Sequence, residues 1–377
     1  MTETTAIKKK DIRDLTLEQI TEAMVSWGEK PFRAKQVFEW LWKKRARSFD
    51  EMTNLSQSLR QKLSDAFTFN TIKPDVVQKS NDGTVKIGFR LHDGNLVEGV
   101  LIPTAKRMTA CVSSQVGCSL SCTFCATGYL KRQRNLKHYE VFDQVAIIDE
   151  IAQKQFDIPL SNIVFMGMGE PLYNSNQVGD SLDIICDPEG IGIGRRRITI
   201  STSGVVPEIV PIGSRTSAML AISLHAANDD LREKIMPINR KYPLKELMQA
   251  CRDYPGLSNS KRITFEYVML KGINDKPKHA KQLINLLKGI PSKVNLIPFN
   301  PWPGSDFECS DWATIENFAD LVNKAGYASP IRTPRGRDIL AACGQLRSES
   351  EKLRASDLRK LNKSNLKLLK TPFIPKT

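Results

Sequence analysis

From about residue 106 onward, short apolar runs alternate with longer amphipathic ones, and this alternation limits the possible folds more than any other feature of the chain. Strands are predicted at 108–113, 162–167, 197–203, 218–224, 263–270 and 293–298. Helical periodicity lies between most of them, at 139–155, 228–253 (with a break) and 276–289. A last helix at 310–326 precedes an extended stretch at 329–334. Strands that alternate with helices pair in parallel, because the crossover helix returns the chain to the same end of the sheet. Six such strands predict an α/β fold, a partial (β/α)6 TIM-like barrel, rather than a closed ring of eight. Parallel folds bind ligands at the C-terminal ends of their strands. Cys118, Gly167–Pro171, Ser201–Gly204, Ser223–His225 and Asn300 follow such ends, so these distant residues are expected on one rim.

The segments before the alternation have different periods. Thr16 and Gln19 form a capping box before Ile20, Ala23 and Met24, and Gly28 supplies a stop. Pro31 opens a second helix, and Leu55, Leu59, Leu63 and Phe67 mark a third. With seven basic residues between 30 and 47, residues 1–70 read as a helical accessory module with a basic, RNA-binding face. Asp82-Gly83 and Asp93-Gly94 are hairpin signals, which makes 71–105 a short antiparallel β extension. Two-residue alternation puts Glu98 on one face with Leu96, Val100 and Ile102. At an edge it would reach water; buried, its pKa would rise and make it a candidate base. Residues 106–345 form the expected core. The tail 346–377 carries nine Lys or Arg against three acids and reads equally as a solvated helix or an RNA-contacting segment.

The net charge of +14 favours an anionic partner, and nucleic acid is the expected one. No apolar run approaches the roughly 18 residues of a membrane span. The opening MTETTAIKKK lacks a secretory apolar stretch, and cytoplasm is the expected compartment. Of eight cysteines, four fall within 111–125. In a cytosolic chain such clustering points to metal or redox chemistry rather than to structural disulfides.

The central motif is Cys118-x3-Cys122-x2-Cys125. Three thiolates on one short loop can hold three irons of a [4Fe–4S] cluster and leave the fourth open to a chelating ligand. A structural zinc site, which usually has four ligands, is the competing reading. The glycines of GMGEP (167–171) let backbone approach a ligand closely, and Glu170 offers a carboxylate to an ammonium. STSG (201–204) and SLH (223–225) add hydroxyls and an imidazole, each a weak signal by itself. In isolation Cys343 reads as a small buried residue, although Gly344 and the basic RTPRGR before it suggest a flexible, RNA-facing loop.

The CxxxCxxC spacing together with GMGEP, STSG, SLH and PFNP (298–301) resembles the radical S-adenosylmethionine superfamily. CVSSQVGC (111–118) and RTPRGRDILAACGQL (332–346) narrow the resemblance to the RlmN/Cfr family of RNA adenosine methyltransferases, over residues 14–347. The intact GEP tilts it to the RlmN branch. The resemblance implies a radical SAM barrel in which Cys118, Cys122 and Cys125 bind one [4Fe–4S] cluster. It places Gly169, Glu170, Ser201, Ser223, Leu224, His225 and Asn300 around S-adenosylmethionine, of which two are used per methylation. It implies that Cys343 carries the methyl group, that Cys111 resolves the later adduct through a transient disulfide, and that Glu98 accepts a proton. The substrates implied are adenosines in 23S rRNA and in tRNA, just 3′ of the anticodon, methylated at carbon 2. An external electron donor and a disulfide reductant are implied, no membrane, and a monomeric enzyme. The rival readings are methylation at carbon 8, a different radical enzyme, and an RNA-binding protein with structural zinc.

Overall fold

The computed structural model describes residues 9–347, so nearly all of the basic tail lies outside the described residues. Three helices open the chain: α1 (Leu17–Ser26), α2 (Phe32–Trp42) and α3 (Gln57–Ala66). The capping box at Thr16 forms as the sequence predicts. Ile20, Met24, Val37, Leu41, Leu59 and Leu63 are fully buried between these helices and the structure that follows. Much of the basic character of this segment is already engaged. Arg45 pairs with Asp149, Arg47 with Glu150 and Lys43 with Glu189, all on or near helices of the later structure. Arg13 is buried between Asp11 and Asp143, with the rings of Phe69 and Tyr139 stacked near its guanidinium.

The strands β1 (Lys73–Lys79), β2 (Val85–Arg90), β3 (Leu96–Thr104) and β4 (Arg107–Cys111) form an antiparallel meander. Its first two turns contain Gly83 and Gly94, both at positive φ, where an L side chain would be strained. After the short ladder of β5 (Gln115–Val116) and β6 (Arg134–Asn135) comes α4 (His138–Phe156). The remaining elements are β7 (Asn162–Phe165), α5 (Ser175–Cys186), β8 (Ile198–Thr202), α6 (Val206–Thr216), β9 (Met219–Ser223), α7 (Asp229–Ile235), α8 (Leu244–Arg252), β10 (Ile263–Met269), α9 (Pro277–Leu286), β11 (Ser292–Pro298) and α10 (Trp312–Lys324).

One nine-stranded sheet runs β1-β2-β3-β4-β7-β8-β9-β10-β11. From β4 onward every pairing is parallel, which gives the six-stranded partial barrel that the alternation predicts. β4 therefore has two roles: it closes the meander and opens the barrel. The helix predicted at 228–253 breaks into α7 and α8 around Pro237 and Pro243, where a proline cannot donate to the preceding turn. The sequence reading passed over α5 and α6. The first is diluted by Ser, Asn and Gly, and the second contains Pro211 in its interior. Both form because Val178, Leu182, Ile185, Ile209 and Ile212 bury an apolar stripe against the sheet, and packing outweighs weak propensity.

Candidate active site

A cavity of about 150 Å³ opens at the C-terminal ends of the parallel strands. Its wall takes Cys118, Cys122 and Cys125 from the loop after β4, and Gly167, Gly169 and Glu170 from the turn after β7. Ser201, Ser223 and His225 come from β8, β9 and the residues after β9. Cys343 closes it from the C-terminal segment. A smaller cavity of about 60 Å³ lies alongside, lined by Cys111, Asn300, Arg332 and again Cys343.

Backbone geometry fixes the turn after β7. Gly169 sits at φ +97°, and a Cβ there would fall 2.5 Å from Gln115 Cβ. Gln115 uses this closeness. Its Oε1 accepts from Glu170 N at 3.0 Å and from Ser119 N at 3.2 Å, which ties the GMGEP turn to the cysteine loop. Glu170 Oε1 accepts from Leu172 N at 3.0 Å and Oε2 from Ser203 N at 2.8 Å. Burial raises the Glu170 pKa while these N–H donors oppose the shift. The side chains of Thr202 and Ser203 also hydrogen-bond the Glu170 carboxylate.

His225 has a left-handed backbone, φ 56°, held by Asn274 Nδ2 donating to its carbonyl at 2.9 Å. Its Nδ1 accepts from Val268 N at 3.0 Å, so Nε2 carries the proton of the neutral ring. Burial, followed by the charge of Arg232, lowers its pKa to about 3. It is therefore a neutral donor and not a proton shuttle.

The segment carrying Cys343 is pinned, in contrast to the flexible loop its sequence suggests. Ala126 N donates to Gly344 O at 2.8 Å, Thr127 Oγ1 to Leu346 O at 2.6 Å, and Gln345 Nε2 to Pro301 O at 2.7 Å. Asn300 Nδ2 donates to Cys343 O at 3.2 Å. Cys111 is buried, and burial, followed by repulsion from Cys343, pushes its thiol up to about 12, with Arg332 acting in the opposite sense.

Not every implied residue reaches a cavity. Asn300 lines the smaller one, whereas Leu224 lies fully buried behind the wall, its N–H on Glu266 O at 3.0 Å. Glu98 is buried rather than exposed at an edge, and lines neither cavity. Its Oε2 accepts from Arg347 N at 2.8 Å, next to Leu346 in the wall, and Lys86 Nζ stands 3.6 Å from Oε1. Sequence reasoning missed Gln115, Glu266 and Arg332. Glu266 faces the larger cavity from the middle of an apolar strand, and Arg332 lines both cavities with a guanidinium nitrogen 3.8 Å from Met166 Sδ. The sequence signal for Glu266 was a charge within an apolar strand, whereas Gln115 and Arg332 lie inside the CVSSQVGC and RTPRGRDILAACGQL motifs.

The donor set suits an iron–sulfur cluster. Burial and mutual repulsion raise the Cys118 thiol to about 12 and raise Cys122 and Cys125 as well, so three thiolates here require a cationic centre. Among the described residues no group of three or more His, Cys, Asp or Glu closes around a single ion. Thiolates that each serve a separate iron have no need to do so. In the adjoining smaller cavity Asn300 Oδ1 is buried with no hydrogen-bond partner, an acceptor left for a ligand.

The parallel half-barrel with three cysteines at its rim defines a class, the radical SAM enzymes. Residues 112–284 match the radical SAM superfamily. The chain superimposes with a TM-score of 0.84 on the crystal structure of a radical SAM methyltransferase from Sphaerobacter thermophilus, 41% identical, covering 90% of this chain and 99% of that one. Residues 10–68 match the ribosomal RNA large subunit methyltransferase N-terminal domain. The dual-specificity RNA methyltransferase RlmN of Caulobacter vibrioides is 56% identical over 364 residues, 93% of this chain and 90% of that protein. Its counterpart in Phenylobacterium zucineum is 56% identical over 368 residues, 94% of this chain and 95% of that protein. The chain belongs to the RlmN family of radical SAM RNA methyltransferases, which are S-adenosylmethionine-dependent iron–sulfur enzymes. Among the described residues no helix is long and apolar enough to cross a membrane.

Proposed function

We propose that the protein methylates carbon 2 of adenosine in 23S rRNA and in tRNA, at the position 3′ of the anticodon, with Cys343 as the methyl carrier. The observation that supports this most directly is that Cys343 lines both cavities, with the three-cysteine loop on one side and Cys111 on the other. Cys118, Cys122 and Cys125 hold one [4Fe–4S] cluster. Gly169, Glu170, Ser201, Ser223, His225 and Asn300 take S-adenosylmethionine, and the Leu224 backbone supports them from behind. Two molecules are used per methyl group transferred, one to methylate Cys343 and one to generate a radical. When bound, the cluster supplies the electron that cleaves S-adenosylmethionine to a deoxyadenosyl radical.

The residues of the chain do the rest. Carbon 2 of adenine has no lone pair with which to take a methyl group from a sulfonium, whereas the Cys343 sulfur has one. Arg332 lines both cavities, and its charge favours the anionic form of Cys111. The deoxyadenosyl radical takes a hydrogen atom from the Cys343 methyl group and the methylene radical adds to carbon 2; Glu98 then accepts the ring proton, and the surplus electron of the adduct would return to the oxidised cluster. Cys111 sulfur then attacks Cys343 sulfur. The carbon–sulfur bond breaks, its electron pair goes to the departing methylene carbon, which takes up a proton to become the methyl group, and a Cys111–Cys343 disulfide remains. An external two-electron reductant restores both thiols.

The test is anaerobic reconstitution with iron and sulfide, followed by incubation with S-adenosylmethionine, a reductant and either an rRNA fragment or tRNA. Mass spectrometry of the digested nucleosides is expected to show 2-methyladenosine from both RNAs. An 8-methyladenosine product would move the reading to carbon 8, and unmodified RNA with a loaded cluster would overturn it.

A further inference from the structure

Arg232 is the largest side chain with no exposed surface. It projects from α7, seven residues after the SLH motif. Its Nε donates to Leu224 O at 3.1 Å, and Nη2 donates to Ser203 O at 2.7 Å and Ser223 O at 3.2 Å. Nη1 donates to Asn239 Oδ1 at 2.9 Å. All of these acceptors are neutral. This sets Arg232 apart from Arg13, the other fully enclosed guanidinium, which is held between two carboxylates. The nearby carboxylate of Asp229 is taken up by Asn239 Nδ2 at 2.8 Å and Leu244 N at 2.9 Å.

A buried cation without a counter-ion in hydrogen-bond contact is expensive, and such groups persist where an anion binds close by. The anion-bearing element is the cysteine loop. Thr123, between Cys122 and Cys125, donates its N–H to Ile235 O at 3.1 Å, one turn of α7 beyond Arg232. The bonded carbonyls lie at the ends of β8 and β9, which contribute Ser201, Ser203, Ser223 and His225 to the same wall.

We propose that Arg232 is a positioning residue with two separable effects: its fork locks the carbonyls at the ends of β8 and β9 so that they present S-adenosylmethionine-binding groups, and its charge, on the helix that packs against the cysteine loop and with no carboxylate in hydrogen-bond contact, raises the reduction potential of the cluster. The proposal rests on the cluster-binding reading above. A fixed positive charge beside a redox centre favours the reduced, more negative state.

The experiment measures iron content, the midpoint potential by EPR-monitored titration and the S-adenosylmethionine dissociation constant in the full-length, reconstituted protein. Arg232→Gln is expected to make the cluster about tenfold harder to reduce, equivalent to 59 mV for one electron, and to weaken S-adenosylmethionine binding about tenfold. Arg232→Lys keeps the charge and loses the fork, so only the binding constant moves. Asp229→Asn keeps the Oδ1 that accepts from Asn239 and Leu244 and removes a neighbouring negative charge, so the potential rises while binding stays within about threefold. If Arg232→Gln does not take up iron, the other two variants decide. A wild-type potential in Arg232→Gln or Asp229→Asn overturns the electrostatic effect, and wild-type binding in Arg232→Lys overturns the positioning effect. Failure of the wild-type protein to hold a cluster would instead overturn the functional reading on which both depend.

Discussion

The two adjoining cavities differ in how they are built. The larger lies at the ends of the parallel strands, and nearly every element of the barrel contributes to it. The smaller depends on the seam between β4, β11 and the C-terminal segment, with Cys111, Asn300, Arg332 and Ala342 in its wall. The three thiols of the cysteine loop line the first, and Cys111 and Cys343 line the second. Cys343 belongs to both, together with Met166 and Arg332. The difference teaches how the proposed radical generation and product release can be supported by separate walls, with Cys343 as the thiol common to both. Replacing that residue or one wall at a time tests the division.

Cys343→Ala has the largest expected effect: methylation is lost altogether while iron content stays at the wild-type level, measured by nucleoside analysis and iron assay. Loss of iron in this variant would break the division between the cavities. Next, Cys111→Ala is expected to stop after a single event with RNA covalently attached to protein, seen as a retarded band that resists denaturation. Normal multiple turnover would remove Cys111 from the mechanism. Arg332→Met is expected to slow the resolving attack by Cys111 about tenfold, the worth of one pKa unit, because the Arg332 charge favours the Cys111 thiolate. Single-turnover release of methylated RNA from the protein would show it, and an unchanged rate would assign Arg332 to packing alone.

Smaller effects sharpen the comparison. Asn300→Ala removes the unpartnered acceptor and is expected to raise the S-adenosylmethionine dissociation constant about tenfold, the value of one hydrogen bond of about 1.4 kcal/mol. Calorimetry on the reconstituted protein checks this. The smallest signature concerns His225, whose pKa is lowered to about 3. Binding of S-adenosylmethionine is expected to show no histidine inflection near its usual pKa of about 6.5. The unfolded chain protonates this histidine first, so its neutral burial costs the fold stability as pH falls from about 6.5 towards 3. In His225→Gln that acid-side loss in thermal melts is expected to be reduced.

Local features were legible in the sequence. The three-cysteine spacing lies within eight residues, the Asp-Gly turns demand positive φ, and the strand–helix alternation carries its own periodicity. Each is a property of one short stretch, so neighbours along the chain suffice to express it. Two helices escaped because local propensity opposed them and only tertiary burial of Val178, Leu182, Ile209 and Ile212 made them form. The basic face of the N-terminal segment was half visible: the charges are there, but Arg45 and Arg47 turn to acids on α4 more than 100 positions away.

The chain alone therefore determined which chemistry was available, through three clustered thiols, two more at 111 and 343, and a parallel α/β core. Tertiary structure decided how those groups are placed and charged. It put Cys343 on both cavities, set Glu98 behind a wall, enclosed Arg232 among neutral carbonyls and brought Gln115 to the back of Gly169. The physical reason is the range of the forces involved. Helix and strand periods are set by contacts a few residues apart, whereas burial, desolvation and charge coupling depend on which distant segments the fold brings together.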